Sequence, residues 1–189
     1  MKVEPKYKAF IFDMDGTLVN SEPVGPNTFV QVAKKYGVEP NKDEYITFVQ
    51  SWKRIGDYTD EKTVLSDFAE RHNLDIEPSR FVEEFFDTYL TNLTKAPALT
   101  GVDSFLHQAK QKGYKMVIVS ASKTGQIGTV LKNHNWRDVF DFIIGEEDIT
   151  KHKPDPEGYL KAIERIGVPA SECIIFEDAK NGAIAAQAA

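Results

Sequence analysis

Asp13-Met14-Asp15-Gly16-Thr17 follows directly on the apolar run Phe10-Ile11-Phe12. Two carboxylates one residue apart at the end of a strand project to the same side of an extended chain. They repel one another unless a cation lies between them. Gly16 lets the backbone turn sharply, and Thr17 adds a hydroxyl beside the acids. The alternative is an acidic turn that only caps a helix, which a run of fixed residue types disfavours. Residues of the same kind recur further on. Val119-Ser120-Ala121-Ser122-Lys123 is a hydroxyl-rich turn opening a helical pattern, a natural seat for a phosphate. Lys151-His152-Lys153-Pro154-Asp155-Pro156 offers lysines on a proline-stiffened loop, and Phe176-Glu177-Asp178 ends an apolar run with two more acids. Carboxylates for a hard cation, donors for a phosphate and a lysine to offset charge together suit phosphoryl transfer, in which positioning and electrostatics dominate. Mg2+ favours oxygen ligands and can bridge a carboxylate nucleophile and a phosphate oxygen.

Short apolar runs position these residues. Lys8–Asp13, Lys115–Ala121, Phe142–Gly145 and Cys173–Asp178 read as strands. Most are continuous rather than alternating, as in parallel strands buried on both faces. Helical patterns separate the last three: Val102–Lys112 leads into Gly113, Gln126–Asn133 follows the second strand, and Glu157–Ile166 leads into Gly167. Both glycines are placed to end helices in the left-handed conformation. Repeated helix-glycine-strand units predict right-handed crossovers and an α/β fold, a doubly wound, Rossmann-like parallel sheet. Ligands of such sheets bind at the carboxyl ends of the strands, where the acids, hydroxyls and lysine fall.

The stretch from Val19 to Pro97 breaks the rhythm. Amphipathic runs at Pro26–Tyr36, Lys42–Trp52, Glu61–His72 and Ser79–Leu93 predict an inserted α-helical domain. The expected division is an α/β core of residues 1–19 and 98–189 and a helical cap of residues 20–97. Trp52, Phe85, Phe86 and Tyr89 are expected in the cap core.

Bulk properties exclude several classes. The chain has 189 residues and a net charge of −6 without a basic stripe, which argues against a nucleic-acid surface. Its longest apolar runs are too short to span a membrane, and Met1–Lys6 lacks the apolar centre of a signal peptide. The single cysteine, Cys173, heads an apolar strand and is expected to be a buried packing residue. A reducing cytoplasm fits this pattern.

The chain resembles the haloacid dehalogenase superfamily, and within it the phosphatases with a helical cap, over nearly its whole length. The resemblance rests on Asp13 to Thr17, Ser120, Lys153 in Lys-Pro-Asp-Pro, and Glu177-Asp178 followed by Asn181-Gly182. It implies that Asp13 attacks phosphorus and forms an aspartyl-phosphate, and that Asp15 serves as general acid and then general base. It implies Mg2+ held by Asp13, the Asp15 backbone carbonyl and Asp178, with Glu177 close by. Thr17, Ser120, the backbone of Ala121 and Lys153 would bind phosphate. In the cap, Glu22, Lys53 and Arg54 are the candidates to meet a small phosphorylated metabolite. An acid at Asp15 separates phosphate-ester chemistry from the branches that cleave carbon–halogen or carbon–phosphorus bonds.

Some positions depart from the pattern. Ser120-Ala121-Ser122-Lys123 is also similar to the β-phosphoglucomutases, so a sugar phosphomutase is the competing reading. Those relatives carry a histidine where this chain has Gly25, and a cap arginine after a glycine where it has Gly56-Asp57. Both differences favour hydrolysis. Ala179 replaces the serine usual after the Glu-Asp pair. Family members continue into a further strand and helix, whereas this sequence stops at Ala189. A monomer with an open sheet edge is therefore expected, with association through that edge as a risk. A weakly active phosphate-binding module is the reading from another class. Glu146, Glu147 and Asp148 are expected to form a solvated turn and helix cap. His72, His107 and His134 are expected to pack or face solvent, and His152 is a weaker candidate to line the site.

Overall fold

The computed structural model describes residues 6–41, 43–46, 71–74 and 78–189. In chain order the elements are β1 (Ala9–Phe12), α1 (Val24–Lys35), α2 (Pro78–Leu93), α3 (Val102–Gln111), β2 (Lys115–Val119), α4 (Thr124–Asn133), β3 (Phe142–Ile144), α5 (Glu157–Ile166), β4 (Cys173–Phe176) and α6 (Lys180–Ala188). Short 3-10 turns lie at Glu146–Asp148 and Ala170–Glu172. The described residues fall into two compact units, one within Met1–Glu22 and Thr94–Ala189, the other within Pro23–Leu93.

The first unit is built on a parallel sheet of order β3-β2-β1-β4. In register, Ile11 lies between Val117 of β2 and Ile175 of β4. Period-two alternation sends Phe10 and Phe12 to one face and Ile11 to the other. On the first face Phe12 stacks on Phe176 at 4.9 Å, and Phe105 of α3 meets both rings. On the second, Ile11, Val117, Val119 and Ile144 pack with Tyr159 and Ala162 of α5 and Ala185 of α6. Each fully buried apolar side chain contributes about 1.5–3 kcal/mol, so β1, buried along its whole length, anchors the unit. Among the described residues β4 has β1 as its one strand neighbour. Cys173 is accordingly half-buried rather than buried, because it sits on this edge strand. Gly113 and Gly167 adopt the expected left-handed conformation at φ 80° and 75°.

The strands are shorter than the apolar runs suggest. Each stops before its polar residues, because the chain leaves the ladder to form the site. One backbone bond still tethers the departing residue in two places: Asp13 N donates to Phe176 O at 3.0 Å, and Ser120 N to Ile144 O at 3.1 Å. Helix α4 begins two residues earlier than the periodicity predicts, because the Gln126 side chain folds back to accept from Lys123 N at 3.0 Å. Pro26 lies inside α1 rather than at its start, where its missing N–H is harmless in the first turn.

In the second unit, Phe29, Val32, Ala33 and Val38 pack against Phe81 and Phe85 of α2, with Phe86 and Tyr89 alongside as expected. Glu84 accepts from Lys35 Nζ and from the Tyr36 hydroxyl at 2.6 Å. Asn41 and Glu44 cap a helical turn reciprocally, each side chain accepting from the other's amide. The buried Glu44 carboxylate also meets His72 Nε2 at 2.6 Å, so this histidine is paired, not merely packed. Burial alone would raise the Glu44 carboxyl; the bonds from His72 and Asn41 hold it below its usual value. Most of the Lys42–Trp52 and Glu61–His72 runs, with Trp52 and Gly56, lies outside the described residues. No helix among the described residues is long and apolar enough to cross a membrane.

Candidate active site

Asp13 leaves β1 with its side chain buried among charged neighbours. Burial pushes its carboxyl up to about 7, against the pull of Lys153 and with a further push from Glu177 and Asp15. Lys153 Nζ donates to Asp13 Oδ1 at 2.6 Å and to Glu177 Oε2 at 2.7 Å, with the Val119 carbonyl at 3.3 Å. One ammonium thus joins the carboxyl ends of β1, β2 and β4. Burial also raises the Asp15 carboxyl, and bonds from Ser122 and Ser21 lower it in part. Ser122 Oγ donates to Asp15 Oδ2 at 2.9 Å, while Asp15 Oδ1 is buried and has no partner among the described residues.

Gly16 is required where it stands. Its φ of +83° is left-handed, and a Cβ there would run into the Asp178 carboxylate. Thr17 Oγ1 donates to Asp178 Oδ1 at 3.1 Å, so the turn after the two aspartates holds the acid that follows β4. Ser120 is buried and its Oγ accepts from Ser122 N at 3.0 Å, which curls the turn after β2. The Ala121 amide has no backbone partner among the described residues. The Lys153 loop is clamped by Glu157, which accepts from Thr150 N, Thr150 Oγ1 and Lys151 N. Lys161 Nζ also donates to Glu157 Oε1 at 2.7 Å and, with the bonds from Thr150 and Lys151, holds that carboxyl down at about 2.

Asp13, Glu177 and Asp178 each offer a carboxylate oxygen, and these oxygens lie within 4.8 Å of one another. Hard oxygen donors gathered this closely with a single lysine among them fit a divalent cation such as Mg2+. The structure therefore brings together Asp13, Lys153, Glu177 and Asp178, with Thr17 joined to Asp178, and Asp15 joined to the Ser120 turn through Ser122. Glu22 is exposed and takes part in none of these bonds. Lys53 and Arg54 lie outside the described residues. His152 is exposed and borders a cavity of about 20 Å³ shared with Ser120, Lys153 and Tyr159. Glu147 caps α4 through the Thr124 amide and hydroxyl, and Asp148 accepts from Gly145 N at 2.8 Å, as expected of that turn. His134 stacks on Trp136, also as expected.

Ser122, Glu157 and Tyr159 were not singled out as site residues by the sequence. Ser122 belongs to the hydroxyl-rich turn, which is a usable signal. Tyr159 shows only helical spacing, yet its hydroxyl donates to Glu177 Oε2.

Fold and site define an α/β protein with an acidic, lysine-bridged centre at the carboxyl ends of its parallel strands. The sequence model of the haloacid dehalogenase-like hydrolases matches residues 10–189, and the chain belongs to that family. It is 32% identical to the protein SUPPRESSOR OF QUENCHING 1, chloroplastic, of Arabidopsis thaliana over 97% of its own length and 17% of that protein's. The chain thus spans under a fifth of that relative. It is 28% identical to the phosphorylated carbohydrates phosphatase of Thermotoga maritima, over 96% of this chain and 81% of the relative. A solved Thermotoga maritima structure, provisionally described as a beta-phosphoglucomutase, superposes with a TM-score of 0.80 at 25% identity, covering 96% of this chain and 81% of that one.

Proposed function

We propose that the chain is a Mg2+-dependent phosphomonoesterase acting on a small phosphorylated metabolite, such as a sugar phosphate, through an aspartyl-phosphate on Asp13. The observation that carries this reading is Lys153 Nζ held at 2.6 Å from Asp13 Oδ1 beside two further carboxylates. The carbohydrate-phosphate activity in the Thermotoga relative's name supports the substrate class. An Asp13 oxygen attacks phosphorus while the bond to the leaving alcohol breaks, and Asp15 gives its proton to the departing oxygen. Burial raises the Asp15 carboxyl, the direction a proton donor needs, and its Oδ1 has no partner among the described residues. Asp15, now ionised, takes a proton from water as that water attacks phosphorus. The Asp13–phosphorus bond breaks, releasing phosphate and restoring the carboxylate. Ser120, the Ala121 amide and Lys153 bind the non-bridging oxygens, and Thr17 steadies Asp178. Mg2+ would be held by Asp13, Asp178 and the Asp15 carbonyl, and would offset the charge of the phosphoryl group.

The mutase reading draws on the Thermotoga structure. Gly25 weighs against it, because a Cβ there would strike the Tyr45 hydroxyl, so a histidine would need the tyrosine to shift. Phosphate release from p-nitrophenyl phosphate should require Mg2+ and vanish in Asp13→Asn; equal slow release by both proteins would sink the enzyme reading. With β-glucose 1-phosphate, free phosphate is expected, and glucose 6-phosphate would establish the mutase instead.

A further inference from the structure

The Tyr159 side chain is buried on α5, with 1% exposure, against the second face of the sheet. A tyrosine in an apolar core needs a partner for its hydroxyl, and here the partner is Glu177 Oε2. The same oxygen accepts from Lys153 Nζ at 2.7 Å. The Lys153 ammonium also lies over the Tyr159 ring, 5.1 Å from its centre. Glu177 is constrained on its other sides: Oε1 accepts from Ala179 N at 3.2 Å, and a Cβ on Gly182 would collide with the carboxylate.

Lysine is a point charge on a long flexible stem, so its head stays at a phosphate site only if something holds it there. Two carboxylates do so here, and one of them, Asp13, is the proposed nucleophile. The other, Glu177, is fixed through Oε2 by a hydroxyl outside the phosphate-binding set. We propose that Tyr159 is a positioning residue whose hydroxyl fixes Glu177 so that Glu177 holds Lys153 where the phosphoryl oxygens bind, making Glu177 an anchor for the lysine rather than a holder of the cation. This rests on the phosphomonoesterase reading above.

The test is calorimetric titration of the full chain with Mg2+ alone, and with inorganic phosphate in the presence of Mg2+. Tyr159→Phe keeps the ring and removes one hydrogen bond to a charged acceptor, so phosphate should bind about tenfold more weakly. Mg2+ affinity should stay within about twofold, a split that general loosening of the core would not produce. In the Glu177→Gln background, Tyr159→Phe should add nothing further to the loss. Unchanged phosphate affinity, equal weakening of Mg2+, or additive losses would overturn the assignment. Should Tyr159→Phe fail to fold, Glu177→Gln alone carries the test, with phosphate weakened and Mg2+ retained as the required result. Wild-type protein that binds no phosphate with Mg2+ present would instead overturn the phosphomonoesterase reading itself.

Discussion

Replacing Asp13 with asparagine should stabilise the metal-free protein at neutral pH while ending its turnover. Burial lifts the Asp13 carboxyl from 3.8 to about 7 in the folded chain. Between those values the folded state keeps a proton that the unfolded state has released. A raised acid therefore makes stability fall as pH rises, by about 1.36 kcal/mol per pH unit. Over the interval of about three pH units the loss is on the order of 4 kcal/mol, a large share of a typical domain's stability of about 5–15 kcal/mol. Asparagine mimics the protonated carboxyl and carries no such slope. The two proteins should be about equally stable near pH 4 and diverge by several kcal/mol above about pH 7. Urea unfolding in EDTA across that range reads the difference. Mg2+ at saturating concentration should flatten the wild-type slope, because the cation favours the ionised carboxylate. Superimposable stability curves in EDTA, or a wild-type stability that rises over this window, would refute the reasoning.

Gly25→Ala should destabilise the second unit by about 1–3 kcal/mol through its clash with the Tyr45 hydroxyl, and Tyr45→Phe should recover most of that in urea unfolding. Absence of rescue would show that the close approach is not the cause. Glu157→Gln should speed amide exchange at Thr150 and Lys151, whose N–H groups the carboxylate accepts. Because the Glu157 carboxyl is held down at about 2, its contribution is present above the ordinary carboxylate range and lost only as pH falls toward that value. Exchange that is already fast in the wild type would contradict this clamp. Ser122→Ala removes one bond to Asp15 Oδ2 and should lower kcat about tenfold with KM little changed, a split that steady-state kinetics resolves.

The fold was readable because short continuous apolar runs such as Phe10–Phe12 and Met116–Val119 alternate with helical patterns ending in glycine. Their ends were not, since Asp13, Ser120 and Glu177 lie where the chain leaves the ladder, and hydropathy does not register a lost backbone bond. Asp13, Lys153, Glu177 and Asp178 were legible as a group because each follows a strand or lies in a loop at the carboxyl end of the same sheet. Their partners were harder to see. Tyr159 reads as a core aromatic at helical spacing, and only the fold aims its hydroxyl at Glu177. Glu44 lies 28 residues before His72, yet tertiary packing brings its carboxylate to 2.6 Å from the imidazole. Thr17 shows the same effect, since its hydroxyl is engaged by an acid 161 residues away.

Rapid quenching of a phosphate-ester reaction, followed by mass spectrometry of the peptides, looks for the aspartyl-phosphate itself. One phosphoryl group is expected on the peptide containing Asp13, formed only with Mg2+ and removed by hydroxylamine. An Asp13→Asn protein that still hydrolyses the ester at the wild-type rate, with no phosphoryl group on the chain, would contradict it.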